Sequence, residues 1–142
     1  MNSVTSGPYG AASPPAPHDI GTRADIGSLV RSFYQQVLSD PLIGPVFEAA
    51  GVDWPEHLEV MTDFWESALL APGAYRRNAL APHRALHARH PLRPEYFDRW
   101  LLLWESTVRR TYSGQVADRA VTKAGFVARA LTHNTIGATR PA

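Results

Sequence analysis

Apolar residues recur at three- and four-residue steps through most of the chain, and nowhere do they alternate as they would in a strand. The first such stripe is Ile26, Leu29, Val30, Phe33, Val37 and Leu38, which predicts an amphipathic helix opening at Thr22 as N-cap. Asp25 sits in its first turn, where a negative charge suits the helix dipole. Asp40-Pro41 ends it, because the residue before proline disfavours helical angles. Leu42-Ile-Gly-Pro-Val-Phe47 then reads as a tight apolar corner, and Gly51-Val-Asp53 separates it from the next helix. That helix starts with Asp53-Trp-Pro-Glu56, an acidic capping box with proline in the first turn. It carries Leu58, Met61, Phe64, Trp65, Ala68 and Leu69, and Pro72-Gly73 stops it.

Residues 74–90 form a looser segment with a short helix expected near His83. Pro91 and Pro94 bracket a break, and Pro94 suits the first turn of a long helix. Tyr96, Phe97, Trp100, Leu101, Leu103, Trp104, Val108 and Tyr112 give that helix a heavy aromatic stripe before Gly114. A last helix over about 116–133 carries Ala117, Ala120, Val121, Ala124, Val127, Ala128 and Leu131. The pattern predicts an all-α domain of four main helices over 22–136. It is flanked by a Pro/Ala/Ser-rich leader over 1–21, expected to be disordered, and a short tail over 137–142.

Bulk properties narrow the function classes. At 142 residues, with 44% hydrophobic and 19% charged content, the chain is sized for one domain with its own core. A net charge of +1 gives no footprint for nucleic acid. Without cysteine there are no disulfides, thiolate metal sites or thiol catalysis, which fits a reducing compartment, and a cytoplasmic protein is expected. No apolar run is long enough to span a membrane.

Chemistry therefore has to come from histidines and aromatics. His83, His87 and His90 stand at i, i+4 and i+7, so a helix running through them aligns three imidazoles on roughly one face. Such a face fits a metal, a cofactor or plain solvent, and spacing alone does not choose among them. A zinc site needs further ligands, and no His-Glu-x-x-His pattern exists. Arg76, Arg77, Arg84 and Arg89 surround His83 and could meet an anionic group or solvent. On the second main helix His57 joins the face of Met61, Phe64 and Trp65, where a histidine needs a hydrogen-bond partner, a ligand or a wet tip. Tyr34 and Trp100 read by default as core aromatics. No glycine-rich phosphate loop and no Gly-x-Ser-x-Gly elbow is present.

Six stretches in order resemble the truncated haemoglobins, most nearly the third group of that family. They are Phe33-Tyr34-x-x-Val37, Asp40-Pro-Leu-Ile-Gly-Pro-Val-Phe47, Trp54-Pro-Glu-His57, Met61-x-Asp-Phe-Trp65, Tyr75 through His83-x-x-Leu86, and Tyr96-Phe-Asp-Arg-Trp100-Leu-x-Leu-Trp104. The resemblance covers about residues 23–134. It implies a shortened globin, a two-over-two helical sandwich around one haem b. On this resemblance His83 is the iron ligand, Phe47 packs on the haem face, and Tyr34, His57 and Trp100 are the polar groups on the distal side. Met61, Phe64, Leu80, Leu86 and Phe97 are expected to line the pocket, and His87 and His90 receive no role.

The implied function is binding of dioxygen and other diatomic gases (nitric oxide, carbon monoxide) at the iron. Oxygen transport, peroxidase-like turnover of peroxide or detoxification of nitric oxide would follow, with electrons from a separate reductase. Two other readings remain at this stage. One is a haem-based sensor or oxygen-binding module without turnover; the other is a cofactor-free helical interaction domain. A Soret band separates the last from the rest.

Overall fold

A computed structural model of the chain describes residues 17–73 and 79–137. Among these residues the order is α1 (Arg23–Ser39), α2 (Gly44–Ala50), α3 (Trp54–Leu69), α4 (Leu80–Arg89), α5 (Pro94–Thr111) and α6 (Gln115–Thr135), with no strand. The four long helices are the four that the hydrophobic periodicity predicts. The apolar corner at 42–47 closes into the short α2, and the expected short helix around His83 is α4. No helix among the described residues is long and apolar enough to cross a membrane.

The starts of α1, α3 and α5 follow from local chemistry. The Thr22 hydroxyl accepts from the Asp25 amide while the Asp25 carboxylate accepts from the Thr22 amide, a reciprocal capping box. Asp53 accepts from the Glu56 amide at the start of α3, and Pro94 occupies the first turn of α5.

The helices stack as two pairs. α1 packs on α3 and α5, and α6 packs on α5, α3 and α4. Ile26, Leu29, Val30, Phe33 and Val37 turn inward and are at most 1% exposed. Leu38, expected in the same stripe, is 53% exposed, because one further residue rotates the side chain about 100° away from the buried face. Trp65 of α3 and Trp104 of α5 stack at 4.4 Å between the two pairs, and the Trp104 indole N–H donates to the Ala120 carbonyl at 3.1 Å. Ala117, Ala120 and Ala124 are fully buried and leave α6 free to approach α5 closely.

Two aspartates tie distant parts of this frame together. Asp40, 5% exposed, accepts from the Leu42 and Ile43 amides and from the Arg99 guanidinium, locking the α1–α2 corner onto α5. Gly44 follows because a Cβ there would stand 3.1 Å from the Val37 and Leu38 carbonyls.

The second aspartate corrects the expected domain boundary. Residues 17–21, assigned by composition to the leader, lie on the domain. Ile20 is 1% exposed, and the Asp19 carboxylate accepts from the Val116 and Ala117 amides at 2.9 Å, capping α6 from outside the helix. Gly114, at φ 137°, is required there, since a Cβ would fall 2.5 Å from that carboxylate. Residues 1–16, the greater part of the expected disordered leader, and 138–142 lie outside the described residues.

Candidate functional site

All six helices contribute to one cavity of about 420 Å³. Its walls are mainly aliphatic and aromatic, with a small set of polar groups, the usual make-up of a small-molecule or cofactor site. Of the ten residues singled out in the sequence, nine line it: Tyr34, Phe47, His57, Met61, Phe64, His83, Leu86, Phe97 and Trp100. Leu80 does not. The cavity face of α4 runs through Ala79, Pro82, His83 and Leu86, and Leu80 lies round the helix on the other side of His83. Tyr75, Arg76 and Arg77 fall outside the described residues.

Sequence reasoning missed the wall built by α6. Val127, Ala128 and Leu131 close the cavity there, whereas periodicity places them only in the core of the last helix. Their spacing puts them on one stripe with Ala117, Ala120 and Ala124, so periodicity alone cannot tell which end of the stripe meets a cavity.

On α4, His83 Nδ1 lies 2.7 Å from the Ala79 carbonyl oxygen, one helical turn back. A carbonyl only accepts, so Nδ1 carries the proton and donates. That leaves the Nε2 lone pair available, as in metal-ligating histidines whose other nitrogen is held by an outer partner. The Phe97 ring lies 6.3 Å from the imidazole.

The other two histidines are separated from it. His87 Nδ1 accepts from the Leu92 amide at 2.9 Å and so closes the link between α4 and α5. The helix ends at Arg89, and His90 is the C-cap in an extended conformation, so the shared helical face of three imidazoles does not form. Among the described residues no group of three metal-ligating side chains is found.

Opposite α4, the polar groups come from α1, α3 and α5. Tyr34 is 5% exposed, and the Trp100 side chain lies close to its hydroxyl. An indole N–H can only donate, so Trp100 cannot take up the phenol proton, which is available to another acceptor. Burial pushes the phenol pKa far up, against a smaller opposing effect of the nearby Trp100 side chain, so Tyr34 stays protonated.

His57 stands edge-on to Tyr34 at 4.9 Å and beside Trp54 at 5.6 Å, and Phe47 stacks on Trp54. Its Nε2 is buried with no hydrogen-bond partner among the described residues, a costly state unless a ligand supplies one. Burial, and secondarily the nearby His83, lowers the His57 pKa, which favours the neutral ring.

These features fit a haem. An apolar slot has one tautomer-fixed imidazole on one side, and on the other an orphaned imidazole nitrogen beside a free phenol proton.

Comparison with known proteins agrees. A family model described as bacterial-like globin matches residues 18–132. The chain is 30% identical over 107 residues to the group 3 truncated hemoglobin of Campylobacter jejuni, covering 72% of this chain and 82% of that protein. The crystal structure of the group III truncated hemoglobin from Campylobacter jejuni superposes with a TM-score of 0.73 at 28% identity, covering 84% of this chain and 94% of that one. The chain thus belongs to the bacterial-like globins, as a group III truncated haemoglobin, a haem-based binder of small ligands.

Proposed function

We propose that His83 Nε2 would hold one haem b and that Tyr34 and His57 would be the polar groups meeting dioxygen, nitric oxide or carbon monoxide bound at its iron. We propose further that it turns over nitric oxide or peroxide with electrons from a separate reductase. The observation that carries this reading is the pairing, across one apolar cavity, of a tautomer-fixed His83 with an orphaned His57 Nε2. When bound, haem supplies an iron centre that takes diatomic ligands and exchanges electrons with them.

The chain's own residues do the rest. The Ala79 carbonyl orients the His83 ring and makes Nε2 more electron-rich. Tyr34, kept protonated by burial, brings a phenol donor to the cavity wall. His57, kept neutral by burial, offers a second polar atom at the same place. The aliphatic and aromatic walls keep water from competing for these groups. A ligand that gains negative charge is favoured there over one that stays neutral.

The test is single-turnover mixing of the oxygen-loaded protein with nitric oxide, and steady-state peroxide consumption with an added electron donor. Near-stoichiometric nitrate, or sustained peroxide loss with saturable kinetics, supports turnover. Ligand binding without either product refutes it and leaves a binding module or sensor.

A further inference from the structure

The cavity contains one charge that the reading above does not use. Among the described residues that line it there is no aspartate or glutamate, and Arg89 is the single permanent cation. It is the last residue of α4, six positions beyond His83, or about 9 Å further along the helix axis. Its guanidinium touches the Ala49 carbonyl at 3.3 Å and the Ala50 carbonyl at 3.5 Å, in the last turn of α2. Both contacts sit at the long end of hydrogen-bond range and engage two of five donors. No carboxylate among the described residues is paired with it. Arg84, its neighbour on α4, differs on both counts. It donates to the Asn134 carbonyl at 3.1 Å and does not line the cavity.

A lone guanidinium at the exposed edge of an apolar cavity calls for an apolar ligand with an acidic edge. Arginine's planar fork matches a carboxylate with two parallel bonds, each stronger than the carbonyl contacts it now makes. We propose that Arg89 is the carboxylate anchor of this cavity, holding an acidic side chain of the haem at the cavity mouth; the proposal rests on the haem reading above. Through Ala49 and Ala50 the same side chain ties α4, which carries His83, to α2, which carries Phe47. Seating of the carboxylate therefore acts on both faces of the cavity.

The experiment uses the full chain loaded either with haem or with haem dimethyl ester, whose two carboxylates are blocked. The readout is the rate at which each is lost to excess apomyoglobin. Wild-type protein should lose the ester about ten times faster than haem, equivalent to ~1.4 kcal/mol. Arg89→Gln should speed haem loss about tenfold and shrink the difference between haem and ester, and Arg89→Lys should restore part of it.

Equal loss of haem and ester from wild-type protein overturns the anchor without needing any variant. Faster loss of both from Arg89→Gln by the same factor also overturns it, since Arg89 would then act only as a tie to α2. A wild-type protein that shows no Soret band with either compound would refute the haem reading itself. A Soret band without ester discrimination would refute only the anchor.

Discussion

Replacing Tyr34 by phenylalanine removes one hydroxyl and little else. The ring is 5% exposed and packs against Phe33, Phe47, Trp54 and His57, contacts that phenylalanine retains. What is lost is the phenol proton, a donor at the cavity wall. A hydrogen bond to an acceptor carrying partial negative charge is worth about 1.5–3 kcal/mol. At ~1.4 kcal/mol per decade, Tyr34→Phe should raise the oxygen off-rate about 10- to 150-fold. Carbon monoxide, which gathers less charge, should respond much less.

The assay is stopped-flow displacement of oxygen by carbon monoxide. Trp100→Phe serves as a graded comparison, because it keeps the hydroxyl and removes only the indole N–H, the neighbouring donor in the cavity wall. Its effect should be closer to that of one ordinary hydrogen bond, about 1 kcal/mol or roughly fivefold. An oxygen off-rate unchanged in Tyr34→Phe would remove Tyr34 from the distal network. An equal change for both gases would show a packing effect and refute the charge argument.

Asp19→Ala removes the external cap of α6 at Val116 and Ala117, so stability should fall by about 1–2 kcal/mol and the melting temperature by about 4–8 °C. A thermal melt followed by circular dichroism checks this, and an unchanged midpoint would mean that residues 17–21 do not hold α6. Acid sensitivity should come from Asp19 and Asp40. Burial raises both pKa values, but it is outweighed at Asp19 by the Val116, Ala117 and Ile20 amides and the Arg119 charge, and at Asp40 by Arg99 and the Ile43 and Leu42 amides, so both end below the ordinary value. A lowered folded pKa stabilises above the unfolded value and is lost as pH falls through the folded one, so urea midpoints should drop from about pH 4 downward. Asp40→Asn should flatten that drop, and an unaltered slope would contradict it.

What could be read from the sequence was local. The Thr22 and Asp53 caps and the Pro94 start depend on residues within a few positions, and each lies where the pattern puts it. His57 could be singled out because a histidine on an apolar stripe needs a partner, and His83 through the resemblance, although which nitrogen each leaves free takes coordinates. Long-range pairings were not legible. Asp19 lies 97 residues from Val116, and a proline-rich composition gave no hint that the chain folds back before Thr22. Gly114 looked like a plain helix end, yet the structural reason for it is the Asp19 carboxylate. The three-histidine face failed because the helix stops at Arg89, a boundary that Pro91 marks only to within a residue or two. Leu80 was misassigned for a related reason, since helical phase is uncertain until the start of the helix is known.

The central claim is that His83, held by Ala79, is the single protein ligand to iron, and replacing His83 with glycine tests it most directly. The absorption spectrum of ferrous His83→Gly, with haem added, should lack the five-coordinate histidine-ligated Soret signature, and free imidazole should restore it by filling the vacated space. A normal five-coordinate ferrous spectrum without imidazole would contradict the account and make His87 the next residue to examine.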